Sequence, residues 1–70
     1  MPPEEIPFRE FLYCRDTQGR QIQIGAGSTR DGRVVLLSPS GHTPVLNTQQ
    51  ATEFVDKFRR VIQDAAQRDG

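Results

Sequence analysis

Residues 31–67 read DGRVVLLSPSGHTPVLNTQQATEFVDKFRRVIQDAAQ, and this stretch decides the fold. It contains an Asp-Gly turn, a continuously apolar strand, a Pro-Ser-Gly turn, a short return strand and one long amphipathic helix. The helix is the strongest signal. From Asn47 onward, apolar residues fall at Ala51, Phe54, Val55, Phe58, Val61, Ile62 and Ala65, the three-and-four spacing of one helical face. No Gly or Pro interrupts Thr48 to Gln67. Asn47 with Gln50 three residues later predicts a variant of the capping box, in which each residue bonds the other's amide. Glu53 with Lys57, Asp56 with Arg60, and Arg60 with Asp64 are spaced to pair along the polar face. At about 1.5 Å per residue, some twenty residues span roughly 30 Å. A helix that crosses a whole small domain needs a sheet beneath it.

Working outward, Arg33 to Ser38 holds Val34, Val35, Leu36 and Leu37 in succession, the pattern of a strand covered on both faces. One helix covers only one face of a small sheet. The other face then needs the N-terminal arm, sheet curvature or a second molecule. Pro39-Ser40-Gly41 turns the chain, and Thr43 to Leu46 forms a short return strand that feeds the helix. Upstream, Phe11 to Arg15 is aromatic-rich and reads as the first strand. Asp16-Thr17-Gln18-Gly19 reads as a turn with Gly19 free to take the left-handed conformation. In Arg20 to Ala26, Gln21 and Gln23 alternate with Ile22 and Ile24, which marks a half-buried strand of an antiparallel sheet. The expected architecture is α+β: an antiparallel β-meander of three or four strands with one long C-terminal amphipathic helix packed on one face. Residues 1–7 form an extended arm, 8–67 a single domain and 68–70 a frayed tail. Ile6 and Phe8 either fold back over the sheet edge or dock on another chain; the first is favoured, because small domains recruit arms to complete thin cores.

The chain has 70 residues, of which 34% are hydrophobic, and a core of this size rarely supplies more than about 3–5 kcal/mol. A single Cys and a single His exclude an intrachain disulfide and a zinc site built from Cys and His. A partner subunit is the remaining staple. Nine basic residues balance nine acidic ones, which argues against the basic footprint of a nucleic-acid binder. The N-terminus lacks the pattern of a secretory signal, and no apolar run approaches the roughly 20 residues that cross a bilayer. With one unpaired Cys, a cytoplasmic protein is the simplest reading.

No residue pattern points to catalysis. Gly25-Ala26-Gly27-Ser28 resembles a phosphate loop in composition only, because no helix N-terminus follows it; the glycines read better as a bulge or a hairpin tip. Cys14 and His42 are the side chains suited to nucleophilic or base chemistry near neutral pH, yet they lie in different elements with no third group identifiable. Glu53, Asp56 and Asp64 fall on the wet face of the helix. The chain is short for walling off a substrate cavity, and no enzyme, cofactor or metal is expected. Arginines flank two turns, Arg15 and Arg20 at one, Arg30 and Arg33 at the other, as in ribbons that enter a DNA groove. Arginines also flank turns because turns are solvated and their stems cover apolar surface.

From Val34 to Val61 the order is an apolar strand, a turn with Ser38-Pro39 and Gly41, then Thr43-Pro44-Val45-Leu46, then a helix opening into Ala51-Thr52-Glu53-Phe54-Val55. This order resembles the small BldB-like proteins of actinobacteria. The resemblance covers the C-terminal two thirds of the folded part. This chain lacks the Trp those proteins carry early in the helix, and has Gln21-Ile22-Gln23-Ile24 in place of their Cys-containing strand motif. The resemblance implies a role in developmental or transcriptional control and self-association, and it implies no catalytic residues. The expected function is a small cytoplasmic interaction module, homodimeric, that binds a larger protein such as a transcription regulator through Ile6, Phe8, Phe11, Tyr13, Val35 and Leu37. The alternative is nucleic-acid binding through Arg15, Arg20, Arg30 and Arg33.

Overall fold

The computed structural model describes residues 6–69. Met1 to Glu5, most of the expected arm, and Gly70 lie outside the described residues. Strands β1 (Phe8–Asp16), β2 (Gln21–Ser28), β3 (Val34–Leu37) and β4 (Pro44–Val45) precede one helix, α1 (Thr48–Asp69). The four strands form one antiparallel sheet in the order β3-β2-β1-β4. The first three strands make the expected meander. The return strand β4 pairs with β1 at the far edge, which gives the spatial order of a Greek key. Residues 38–43 carry the chain from one edge of the sheet to the other, and Thr17 N donates to Thr43 O at 3.1 Å where they arrive.

Two strands are longer than the sequence suggests. Phe8 already pairs with Ser28, and the ladder then runs unbroken to Arg15 opposite Gln21. Gly25 and Gly27 therefore sit inside β2, at neither a bulge nor a hairpin tip. Their physical reason is close approach. A Cβ on Gly25 would press on Glu10 O and stand 2.7 Å from Phe11 Cδ1, and one on Gly27 would press on Ile6 and stand 2.9 Å from Phe8 O. At the β1–β2 turn Gly19 has φ +80°, the left-handed region that suits glycine.

Strand alternation sends Leu12, Cys14, Ile22 and Ile24 to one face, where Leu46 and Phe54 pack against them. The helix lies over this face and buries Val61 and Ala65. Its capping box forms as expected: Gln50 N donates to Asn47 Oδ1 at 2.7 Å, and Asn47 N donates to Gln50 Oε1 at 3.0 Å. The Phe54 and Phe58 rings stack with centroids 6.0 Å apart. Arg60 reaches across to Glu10 of β1 at 3.2 Å, and Asp64 pairs with Arg68 at 2.7 Å. The helix thus continues through Arg68 to Asp69, into the stretch expected to fray.

The expectation that β3 is covered on both faces is not met within one chain. The helix sits mainly over β1 and β2, so Leu36, on the helix side, remains 70% exposed. Val35 and Leu37, on the other side, are half-buried.

Gly25→Ala is expected to lower stability by about 1–3 kcal/mol, because the added methyl must displace backbone and the Phe11 ring. Asn47→Ala is expected to cost about 1 kcal/mol through the lost cap. Urea denaturation of each variant, followed by far-ultraviolet circular dichroism, checks both.

Candidate protein interaction surface

The face of the sheet turned away from the helix is built by the odd-numbered residues of β1, β2 and β3. From β1 come Phe11 and Tyr13, flanked by the exposed Arg9 and Arg15, and from β3 come Val35 and Leu37. Between them β2 contributes Gln21, Gln23, Gly25 and Gly27, so the half of the middle strand nearer the β2–β3 turn is bare backbone. The Phe11 ring lies over Gly25, and Ile6 lies over Gly27, held there partly by its carbonyl accepting from Arg9 Nε at 3.0 Å. Ile6 thus folds back on its own sheet. The result is a patch with apolar side chains at its centre and Arg9, Arg15, Gln21 and Gln23 around them, in which Phe11 is 40% and Tyr13 62% exposed.

Of the residues expected to bind a partner, Ile6, Phe11, Tyr13, Val35 and Leu37 share this face. Phe8 does not. Because it sits three residues before Phe11 in the same strand, pleating turns it to the helix side, opposite Ser28 and half-buried.

The arginines of the alternative reading form no single patch. Arg15 and Arg20 stand at the β1–β2 turn, and Arg30 and Arg33 at the β2–β3 turn, at opposite ends of β2. At about 3.3 Å per residue that separation is roughly 25 Å. Arg15 donates to Gly19 O at 2.7 Å, Arg20 pairs with Asp16 at 3.0 Å, and Arg33 pairs with Asp31 at 3.2 Å.

Sequence reasoning missed the polar side chains that hold these turns. The Asp16 side chain is 1% exposed, and its oxygens accept from Gln18 N at 2.9 Å, Arg20 N at 2.8 Å, Arg20 Nε at 3.0 Å and His42 Nδ1 at 2.7 Å. An ionised carboxylate only accepts, so His42 Nδ1 carries the hydrogen. Asp at the head of an Asp-x-x-Gly turn is a detectable signal for the local bonds. Nothing in the sequence points to His42, 26 residues away. At the opposite end Thr29 donates to Asp31, and Ser28, fully buried, donates to Asp64. Asp64, expected on the wet face, is instead a cross-link between helix and sheet.

These bonds hold all three carboxyls below the usual aspartate range. For Asp16 the hydrogen bond from His42 is the main cause, for Asp31 that from Thr29, and for Asp64 that from Ser28. Cys14 is buried beside this region. A cavity of about 260 Å³ lined by Tyr13, Cys14, Arg15, Gln21 and Gln50 falls short of the roughly 300 Å³ at which small-molecule sites begin. Among the described residues, no three His, Cys, Asp or Glu side chains cluster as metal ligands, and no helix is long and apolar enough to cross a membrane.

Comparison with protein-family models, characterised proteins and solved structures gives no match.

The depressed carboxyls set a pH dependence. In the acid range the unfolded chain, with aspartates near 3.8, binds more protons than the folded one, so stability falls as pH drops. The contribution is complete above about pH 5 and is lost progressively through the carboxylate range below it. The melting temperature is therefore expected to be lower at acid than at neutral pH. Asp16→Asn is expected to be less stable at neutral pH and to show a flatter acid decline, which thermal melts across that range check.

Proposed function

We propose that this protein is a small, non-enzymatic protein–protein interaction module, a homodimeric cytoplasmic partner of a larger protein such as a transcription regulator. The observation that carries this reading is the sheet face turned away from the helix, where Phe11 and Tyr13 stand exposed on β1, across β2 from Val35 and Leu37. Aromatic side chains on a rigid, flat scaffold supply large contact area with little conformational entropy to lose, and they dominate the energetics of interfaces. Here both aromatics are fixed to the long strand β1, and the glycines of β2 let Phe11 lie flat against the sheet. The resemblance to BldB-like proteins favours a regulatory partner. The nucleic-acid alternative has less support, since its arginines stand at opposite ends of the sheet.

Replacing Tyr13 and Leu37 by Ser is expected to abolish capture of the larger partner from native cell extract, with an affinity loss of about 30-fold for each anchor residue at about 2 kcal/mol apiece. Wild-type protein serves as bait alongside the variant, with circular dichroism to establish that the variant is folded. A folded variant that captures the same partner as strongly would overturn the assignment of the site. Capture lost on raising salt and on replacing Arg30 and Arg33 would move it to the charged turns.

A further inference from the structure

The two edges of the sheet are unlike. β4 is two residues long and includes Pro44, features that blunt an edge against pairing. β3 offers Val34-Val35-Leu36-Leu37 in unbroken register with β2, with no charge, proline or bulge in the strand. Its backbone phase follows from the β2–β3 turn, where Thr29 N donates to Arg33 O at 2.9 Å. Residues 33, 35 and 37 therefore direct their amide and carbonyl groups at β2, and Val34 and Leu36 direct theirs outward. Among the described residues nothing pairs with that edge. An open edge of this kind accepts a strand.

The helix indicates which strand. Ala26 lies opposite both Glu10 and Leu36, and Arg60 reaches Glu10, so the middle of the helix stands level with Leu36. Arg60 and Asp64 reach β1 and β2 from one flank of the helix. Val55 and Ile62 occupy the other flank, on the side of β3, and are 51% and 45% exposed. A cavity of about 160 Å³ lies where Phe54 of the helix approaches Ile24, Leu36, Leu37, Ser38 and Pro44.

We infer that β3 pairs antiparallel with β3 of a second copy of this chain, about a two-fold axis at Leu36, merging the two sheets into one. The inference rests on the homodimeric reading above and names its interface. In this register Leu36 bonds its own counterpart, Val34 bonds Ser38 of the second copy, and Val35 stands beside Leu37. Pro39, which lacks an amide hydrogen, falls in the phase that faces inward, so the seam misses no donor. The axis keeps both helices on one side of the merged sheet and runs them antiparallel, with Val55 of one level with Ile62 of the other. The exposed Leu36 pair then lies between two apolar helix flanks. An unrelated strand would satisfy the backbone but would not match the stripe to itself; a second copy does both.

Oxidation of Leu36→Cys tests the pairing. A hydrogen-bonded antiparallel pair sets its Cα atoms about 5.5 Å apart, within the range of a disulfide, and native Cys14 is buried. Leu36→Cys is expected to form a covalent dimer at near-complete yield, while Val45→Cys on the opposite edge does not. By light scattering, wild type is expected at twice the chain mass. Leu36→Lys, which sets two ammonium groups together at the axis, is expected to raise the dimer dissociation constant at least about 100-fold. A monomeric wild type would overturn both this inference and the homodimeric reading. A dimeric wild type in which Leu36→Cys does not cross-link would overturn the edge pairing alone and leave self-association to the open sheet face.

Discussion

The arrangement of this domain depends on one buried carboxylate. Asp16 ends β1, and its two oxygens take donors from the following turn and from His42 in the crossing segment. Burying a charge is costly unless it is fully bonded, and here four donors surround it. The same contact fixes the β1–β2 hairpin and tethers residues 38–43 as they pass to the far edge. Without that tether, two residues of β4 would be a weak reason for the chain to leave β3 and cross to β1. The position of the helix follows, because Asn47 caps it two residues beyond β4.

The opposite end of the sheet is closed by a second polar pair, Ser28 with Asp64, far along the helix. The core between the two ends is thin, with small side chains such as Cys14, Ala26 and Ala65 bringing helix and sheet close. A thin layer leaves apolar residues without cover. They collect at two separate places, the aromatic face behind the sheet and the strip between β3 and the helix flank. These are two uncovered surfaces of different character, one carrying the exposed aromatics, the other an open strand edge.

Periodicity made most of the fold legible. The spacing from Ala51 to Ala65, the alternation of Gln21 to Ile24, and the pairing of Asn47 with Gln50 each reflect a local rule, and each is found in the structure. What sequence could not show was set by contacts across long distances. The move of β4 to β1 depends on Asp16 meeting His42. The strand character of Gly25 to Ser28 depends on Phe11 and Ile6 lying across the glycines, whereas glycine pairs taken alone suggest a turn. Four apolar residues in β3 suggested burial on both sides, since the spacing of residues cannot tell a covered strand from an uncovered edge. The open face was largely legible, with Ile6, Phe11, Tyr13, Val35 and Leu37 brought together; Phe8 was misplaced because β1 begins earlier than its aromatic run suggests, and its parity puts it on the helix side.

The helix that seals Leu12, Cys14, Ile22 and Ile24 follows all four described strands. During synthesis the β1–β2 hairpin can close as soon as it emerges, since its contacts are local, whereas the seal must wait for some forty further residues and for loops that are slower to close. A growing chain therefore carries an apolar sheet with one face uncovered and the β3 edge unguarded. Such surfaces are where chains adhere to one another, so the interval between the hairpin and the helix is the stage at which this protein most needs shielding by the ribosome surface or a chaperone.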